Sequence, residues 1–408
     1  MEFFQLQGMQ SLLYAEVMTI NTEMLSALGP LSGIRVVEIG QLIAGPFAAR
    51  VLADFGANVI KIEAPKTGDP LRYWRAMHGD TSIWWEVQSR NKKSVVLDLK
   101  SEQGQEVLKR LLSDTDVLIE NFKPGTLESW GLDYESLASV NPKLIMLRVS
   151  GYGQTGPYSH RPGFGVVGEA MGGLRYLTGE PGRKPVRVGF SIGDTLAALH
   201  GIIGILLALQ ERHSSGKGQE IDVSLYESVF NCTESMVTEH ALTGEIREPA
   251  GSALPGIVPS DAYKTNDGLV LIAGNGDGIF KRLMYCIGRS DLAADPSLAG
   301  NQGRINRADE INSAIEQWSC NRSVSEVLKA LDESNVPGGR IYTAEDIYQD
   351  PHYKARGMFV KTKTKAGCEY VQPGVVPKLS RTPGQIRMAA PRLGEHTSEV
   401  IGEFGLES

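Results

Sequence analysis

Residues 33–63 read GIRVVEIGQLIAGPFAARVLADFGANVIKIE. Val36–Ile39 and Val59–Ile62 are β-branched runs of strand length, and Pro46–Phe55 between them carries proline in a first helical turn. The stretch therefore predicts a strand–helix–strand unit closed in about 30 residues. Two parallel strands joined by a helix commit the chain to an α/β sheet. Downstream the pattern repeats: Ser94–Leu99 reads as strand, Ser101 as the cap of a helix running to about Ser113, Val117–Ile119 as strand, Tyr134–Val140 as a short helix and Leu144–Val149 as strand. The expected core is a doubly wound, mostly parallel α/β sheet.

From Thr195 to about His213 the chain is apolar on nearly every face, which predicts a helix buried inside the domain, followed by Gly216, Gly218 and a last strand at Ile221–Ser224. Its longest apolar stretch, Thr195–Leu209, contains His200 and is shorter than the roughly 20 residues a bilayer requires, so no membrane partner is expected. The large domain should span 30–225, with 1–29 an N-terminal extension that lacks the basic start and cleavage pattern of a signal peptide. Residues 226–248 read as a helix and connection, and Gly251, Pro255, Gly256 and Pro259 mark a boundary loop. A smaller α+β domain follows, with a hairpin turning at Asp267-Gly268 and helices at Phe280–Ile287 and Ala308–Trp318.

The 408 residues carry a net charge of −7, which argues against nucleic acid or an anionic membrane as a partner. Cys232, Cys286, Cys320 and Cys368 form no CxxC pair and have no histidine at zinc spacing, so a reducing, cytoplasmic setting without a metal site is expected. The first strand-to-helix turn has Gly40 and Gly45 but no GxGxxG, and no GxxxxGK[ST], HExxH or EF-hand loop occurs. Gly189-Phe190-Ser191-Ile192-Gly193 matches GxSxG, the context of a nucleophilic serine, although two glycines flanking a turn with Asp194 capping the following helix is the plainer reading. Five glycines crowd residues 161–173 around a single carboxylate, Glu169, which reads either as a close-approach ligand site or as a packed helix–loop segment. Arg90, Lys92 and Lys93 form a basic cluster, either a solvated loop or a site for phosphates.

Six ordered blocks resemble the class III coenzyme A transferases (CaiB/BaiF, formyl-CoA transferase-like): residues 31–72 beginning LSGIRVVEIG, SRNKKSVVLDLK (89–100), DVLIENFKPGTLESWGLDYESL (116–137), SGYGQTGPY (150–158), SSGKGQEIDVSL (214–225) and PRLGEHTSEVI (391–401). The resemblance implies that the 30–225 domain is Rossmann-like and binds CoA, that residues 350–408 rejoin it, that 226–349 form the linker and small domain, and that two chains interlock as a homodimer. It implies a CoA-transferase that takes acyl-CoA and a small carboxylic acid as substrates, succinyl-CoA or another short dicarboxylyl-CoA first among donors, with no tightly bound cofactor. Acyl-CoA racemase activity, or hydrolysis through Ser191, is the alternative.

Site residues follow from the same resemblance. Ile43 and Ala44 match the lining of the thioester end, Arg90, Lys92 and Lys93 the segment near the CoA phosphates, Asn121 and Phe122 the nucleotide end, and Gly251 to Gly256 a glycine-rich lid. Arg72, Arg161 and Arg187 are candidates for a substrate carboxylate. Where the family pattern places a nucleophilic aspartate, this chain has Gly165, and Glu169 stands one helical turn on. The expectation is that Glu169 reaches back into the space Gly165 vacates and serves as nucleophile, with Asp194 the second candidate.

Overall fold

The structure is a computed structural model that describes residues 29–403. The expected N-terminal extension therefore lies outside the described residues, Gly29 aside. Two compact units are present: the first comprises the described residues to Leu174, Val188–Glu234 and those from His352 onward; the second comprises Arg175–Arg187 and Ser235–Pro351. The chain thus leaves the first unit for a short excursion at 175–187 that no composition shift announces.

In the first unit, β1 (Arg35–Glu38), β2 (Asn58–Glu63), β3 (Lys92–Val96), β4 (Val117–Glu120), β5 (Ile145–Ser150) and β6 (Glu220–Ser224) form one six-stranded sheet in the order β3-β2-β1-β4-β5-β6. Every pairing is parallel, with Val36 opposite both Val59 and Val117. Alternate strand residues feed opposite layers. Val36, Val117, Ile119, Ile145 and Leu147 pack with α1 (Ala44–Asp54), whereas Val37, Leu118 and Met146 pack with α2 (Glu102–Leu112). Ser101 caps α2 by accepting from Gly104 N at 3.1 Å. The C-terminal helix Thr397–Glu403 adds Val400 and Ile401 to the second layer, so the end of the chain returns to this unit. β1 sends its connection to β2 on one side and has β4 on the other, so the sheet changes direction between β1 and β4.

Two helices matter below: the short α3 (Gly165–Met171) and the long α4 (Ile192–Ser215). The helix α4 is 24 residues long and apolar enough to span a bilayer by length and composition alone, yet one face packs on the sheet through Ala197, Ala198, Ile205 and Ala208. The expectation of a helix buried on all sides is corrected here. Leu199, Ile203, Leu206 and Leu207 are 42%, 55%, 44% and 66% exposed, a stripe at helical spacing along the other face.

The second unit has the sheet β7 (Ser260–Lys264), β8 (Leu269–Ala273) and β9 (Gly338–Arg340), with β7 and β8 antiparallel around the turn at Asp267-Gly268. Helices Asp277–Cys286, Ala308–Ser319 and Val324–Glu333 cover it through Phe280, Leu283, Ile311, Ile315 and Val327.

Several charges are buried under the sheet's carboxyl edge. Glu63 accepts two hydrogen bonds from Arg72, both 2.8 Å, and Asp69 meets Lys61 Nζ at 2.8 Å. Burial works to raise both carboxyls, but Arg72 and Lys61 outweigh it and hold Glu63 and Asp69 below their ordinary range. A carboxylate whose titration is depressed by folding adds stability above its unfolded value and loses it as pH falls through the folded one. The urea midpoint is therefore expected to decline once pH drops below about 4. A midpoint unchanged from pH 5 to pH 3 would contradict these pairings.

Candidate active site

Ligands of open parallel sheets bind beyond the strands' carboxyl ends where the strand order reverses. Here that crevice lies between the loop after β1, residues 39–43, and the loop after β4, which begins with Asn121 and Phe122. Ile43 is half-buried and Ala44 buried at the head of α1. Asn121 accepts from Gln41 N at 2.7 Å and donates to Gln41 O at 2.8 Å, tying the two loops together. Phe122 packs edge-on against Trp130, ring centroids 5.5 Å apart. All four residues thus stand where the loops after β1 and β4 meet.

The basic cluster does not. Arg90 is fully buried, donating to Asp54 at 2.7 Å, to Gln372 Oε1 at 3.0 Å and to Pro373 O at 2.7 Å. Lys92 is equally buried, its Nζ 2.7 Å from Glu38 and 2.8 Å from Pro46 O. Lys93 pairs with Glu399 at 2.7 Å. The assignment to phosphates is corrected for Arg90 and Lys92, which are aimed at carboxylates inside the unit, because a buried, paired cation is not offered to a ligand; Lys93 is half-buried and its partner Glu399 lies at the surface. Exposed lysines stand elsewhere along the edge, Lys66 after β2, Lys100 after β3 and Lys123 after β4. Single lysines in three separate loops leave no cluster for a sequence scan to find.

The glycine-rich segment becomes α3, whose Gly168 and Gly172 let the backbone lie on Leu225 and Val229; a Cβ at either would stand 2.7 Å or less from those side chains. Gly165 has a different neighbour. A Cβ there would overlap the Asp194 carboxylate, with the carboxyl carbon only 2.8 Å away. Asp194 sits in the first turn of α4 and is half-buried. The space left by Gly165 is therefore filled by Asp194, not by Glu169. Glu169 is fully buried, and its Cγ lies 3.2 Å from where a Cβ on Gly193 would be. The expectation that Glu169 reaches into the gap fails because a nearer carboxylate already occupies it.

Ser191 is the buried N-cap residue of α4, and no strand precedes it at Val186–Val188, so the strand–turn–helix context of a hydrolase nucleophile is missing. Arg72 is committed to Glu63 and stacks 3.7 Å from the Trp85 ring, which removes it as a carboxylate ligand. A cleft of about 100 Å³ beside it, lined by Trp85, Glu86 and Lys365, contains none of the crevice residues. Arg161 is exposed, its guanidinium 3.9 Å from the Tyr158 ring. Gly251 and Gly256 belong to the second unit, where both adopt positive φ, 64° and 71°, and Gly251 N donates to Gly179 O at 3.0 Å. Arg187 is exposed in that unit as well.

Residues 31–397 match the profile of CoA-transferase family III. The succinyl-CoA–D-citramalate CoA-transferase of Chloroflexus aurantiacus is 47% identical over 92% of this chain and 94% of its own. The succinate–glutarate CoA-transferase of Agrobacterium fabrum is 35% identical over 94% and 98%. Among solved structures, a CaiB/BaiF family protein from Brucella suis superposes with a TM-score of 0.80 at 34% identity, covering 92% of this chain and 99% of that one. The sheet, the crevice at its point of reversal and this similarity along nearly the whole length agree: the chain belongs to CoA-transferase family III and is a CoA-transferase working on CoA thioesters.

Proposed function

We propose that the protein moves CoA from succinyl-CoA to a four- or five-carbon dicarboxylic acid, with Asp194 as the nucleophile. The observation that carries the assignment is the carboxylate of Asp194 lying in the space Gly165 leaves open. A relative that uses D-citramalate and one that uses glutarate support the substrate class. In the first step an Asp194 carboxylate oxygen attacks the thioester carbonyl and CoA thiolate leaves, giving a mixed anhydride. The thiolate then attacks the aspartyl carbonyl, succinate departs and an aspartyl-CoA thioester remains. The acceptor carboxylate repeats both steps in reverse and leaves as its CoA thioester. Ile43 and Ala44 line the thioester end, Asn121 and Phe122 the nucleotide end, and Lys66, Lys100 and Lys123 meet the phosphates from the sheet's open edge. Arg161, exposed in the same unit as Asp194, receives the second carboxylate of the diacid.

Borohydride added after succinyl-CoA should reduce the enzyme thioester to an alcohol, shifting the mass of the peptide that contains Asp194. A shift confined to the Glu169 peptide would reverse the assignment. The working protein is a cytoplasmic homodimer in this reading, supported by four free cysteines and by the uncovered apolar stripe on α4. Ile203→Glu, which puts a charge in that stripe, is expected to convert a dimer of about twice the 44.3 kDa chain mass into monomer by light scattering. A wild-type chain that is already monomeric would remove the proposal.

A further inference from the structure

We propose that Gln88, Asn121 and Asp69 are positioning residues that fix the backbone of residues 41–43 for the acyl transfer step. This rests on the reading that Ile43 and Ala44 meet the thioester. The connection from β1 to α1 is held far more densely than joining a strand to a helix requires. Lys61 Nζ donates to Gly40 O at 2.9 Å, Asn121 grips Gln41 N and O at 2.7 and 2.8 Å, and Asp69 accepts from Leu42 N at 3.1 Å. Gln88 Nε2 donates to Ile43 O at 3.1 Å, and Lys92 Nζ to Pro46 O at 2.8 Å. These side chains come from β2, β3, the loops after β2 and β4, and the helix Ile83–Gln88. All but Asn121 are buried, while residues 41–43 themselves reach solvent.

The grip has a visible consequence. Leu42 sits at φ 64°, a left-handed conformation that a residue with a side chain keeps only where its surroundings over-determine it. Loops at a ligand crevice are ordinarily the mobile part of an α/β fold. This one is fixed from beneath by side-chain bonds to five of the eight backbone carbonyls and amides from Gly40 to Ile43. The N–H groups of Gly40, Ile43, Ala44 and Gly45 are the donors it leaves uncommitted among the described residues, and the last three lie together at the start of α1. When the nucleophile adds to the thioester, negative charge gathers on the carbonyl oxygen, and donors held in place beforehand stabilise it without having to reorganise. The bonds from Gln88, Asn121 and Asp69 would supply that pre-organisation, so their loss should appear in the chemical step rather than in binding.

Gln88 gives the cleanest test, being neutral and bound to the loop through one hydrogen bond. The full-length enzyme carrying Gln88→Met keeps the side-chain volume and loses the donor. Its kcat with succinyl-CoA is expected to fall about tenfold, with KM for succinyl-CoA within about twofold of wild type, since small misplacements near reacting atoms weigh on rate more than on binding. Amide hydrogen exchange in a peptide spanning 41–47 should accelerate in parallel. Gln88→Leu, which also removes the donor to Ile43 O, is expected to move kcat the same way and covers the case in which Gln88→Met fails to fold. An unchanged kcat in a folded variant whose 41–47 exchange is faster overturns the proposal, as does a rise in KM alone. The underlying reading is checked separately in wild type: CoA should slow exchange at 41–47. If it does not, residues 43 and 44 do not meet the ligand and the reading fails whatever the variants do.

Discussion

Asp194→Asn is expected to lower kcat by at least about a thousandfold while succinyl-CoA binding changes by no more than about threefold, because an amide keeps the size of the side chain and cannot carry the acyl group. The geometry makes the contrast with Glu169→Gln sharp. Glu169 is fully buried beside Gly193, so it can reach a thioester only by leaving its packing, whereas Asp194 is half-buried at the head of a 24-residue helix. Negative charge in a first helical turn is favoured by the backbone dipoles. Glu169→Gln should therefore cost no more than about tenfold, the range of a residue that shapes a site without bonding to substrate. Borohydride trapping separates the two without relying on rate: the alcohol should vanish in Asp194→Asn and persist in Glu169→Gln. Full turnover in Asp194→Asn would leave the covalent route without its nucleophile.

What was readable in the sequence follows the range of the interactions involved. The unit from Gly33 to Glu63 was legible because strands buried on both faces are continuous apolar runs, and the helix between them has a proline where helices accept one. Register across the sheet was not legible. Arg90 and Lys92 look like a solvated basic cluster because their partners, Asp54 and Glu38, are 36 and 54 residues away in the chain. The same limit explains α4. Its composition announces burial on every side, and only the structure separates the face that packs on the sheet from the stripe at Leu199, Ile203, Leu206 and Leu207. At the site, loops following strands could be named in advance, since Ile43 and Asn121 each follow a predicted strand. The meeting of Gly165 with Asp194 could not, because it joins the starts of two helices through tertiary packing. Glu169 was favoured by its proximity along one helix, a rule that holds within an element and says nothing about what fills a gap from another.

Gly165→Ala should separate the placement of the nucleophile from the stability of the fold. In isolation the change favours helix, since alanine at a helical position gains up to about 1 kcal/mol over glycine. Gly165 begins α3, is buried, and carries no positive φ that would strain a side chain. The new methyl, however, would stand 2.8 Å from the carboxyl carbon of Asp194. Carbon atoms in contact prefer about 3.5–4.0 Å, so the carboxylate must swing aside by roughly an ångström. A displacement of that size at a reacting group costs about a hundredfold. The variant is thus expected to retain a wild-type melting temperature within a few degrees, to lose about a hundredfold in kcat/KM, and to accumulate correspondingly less enzyme thioester. Loss of stability without loss of rate would mean that Gly165 serves packing alone. Retention of both would mean that the carboxylate can act from a position other than the gap, and the link between Gly165 and Asp194 would have no part in catalysis.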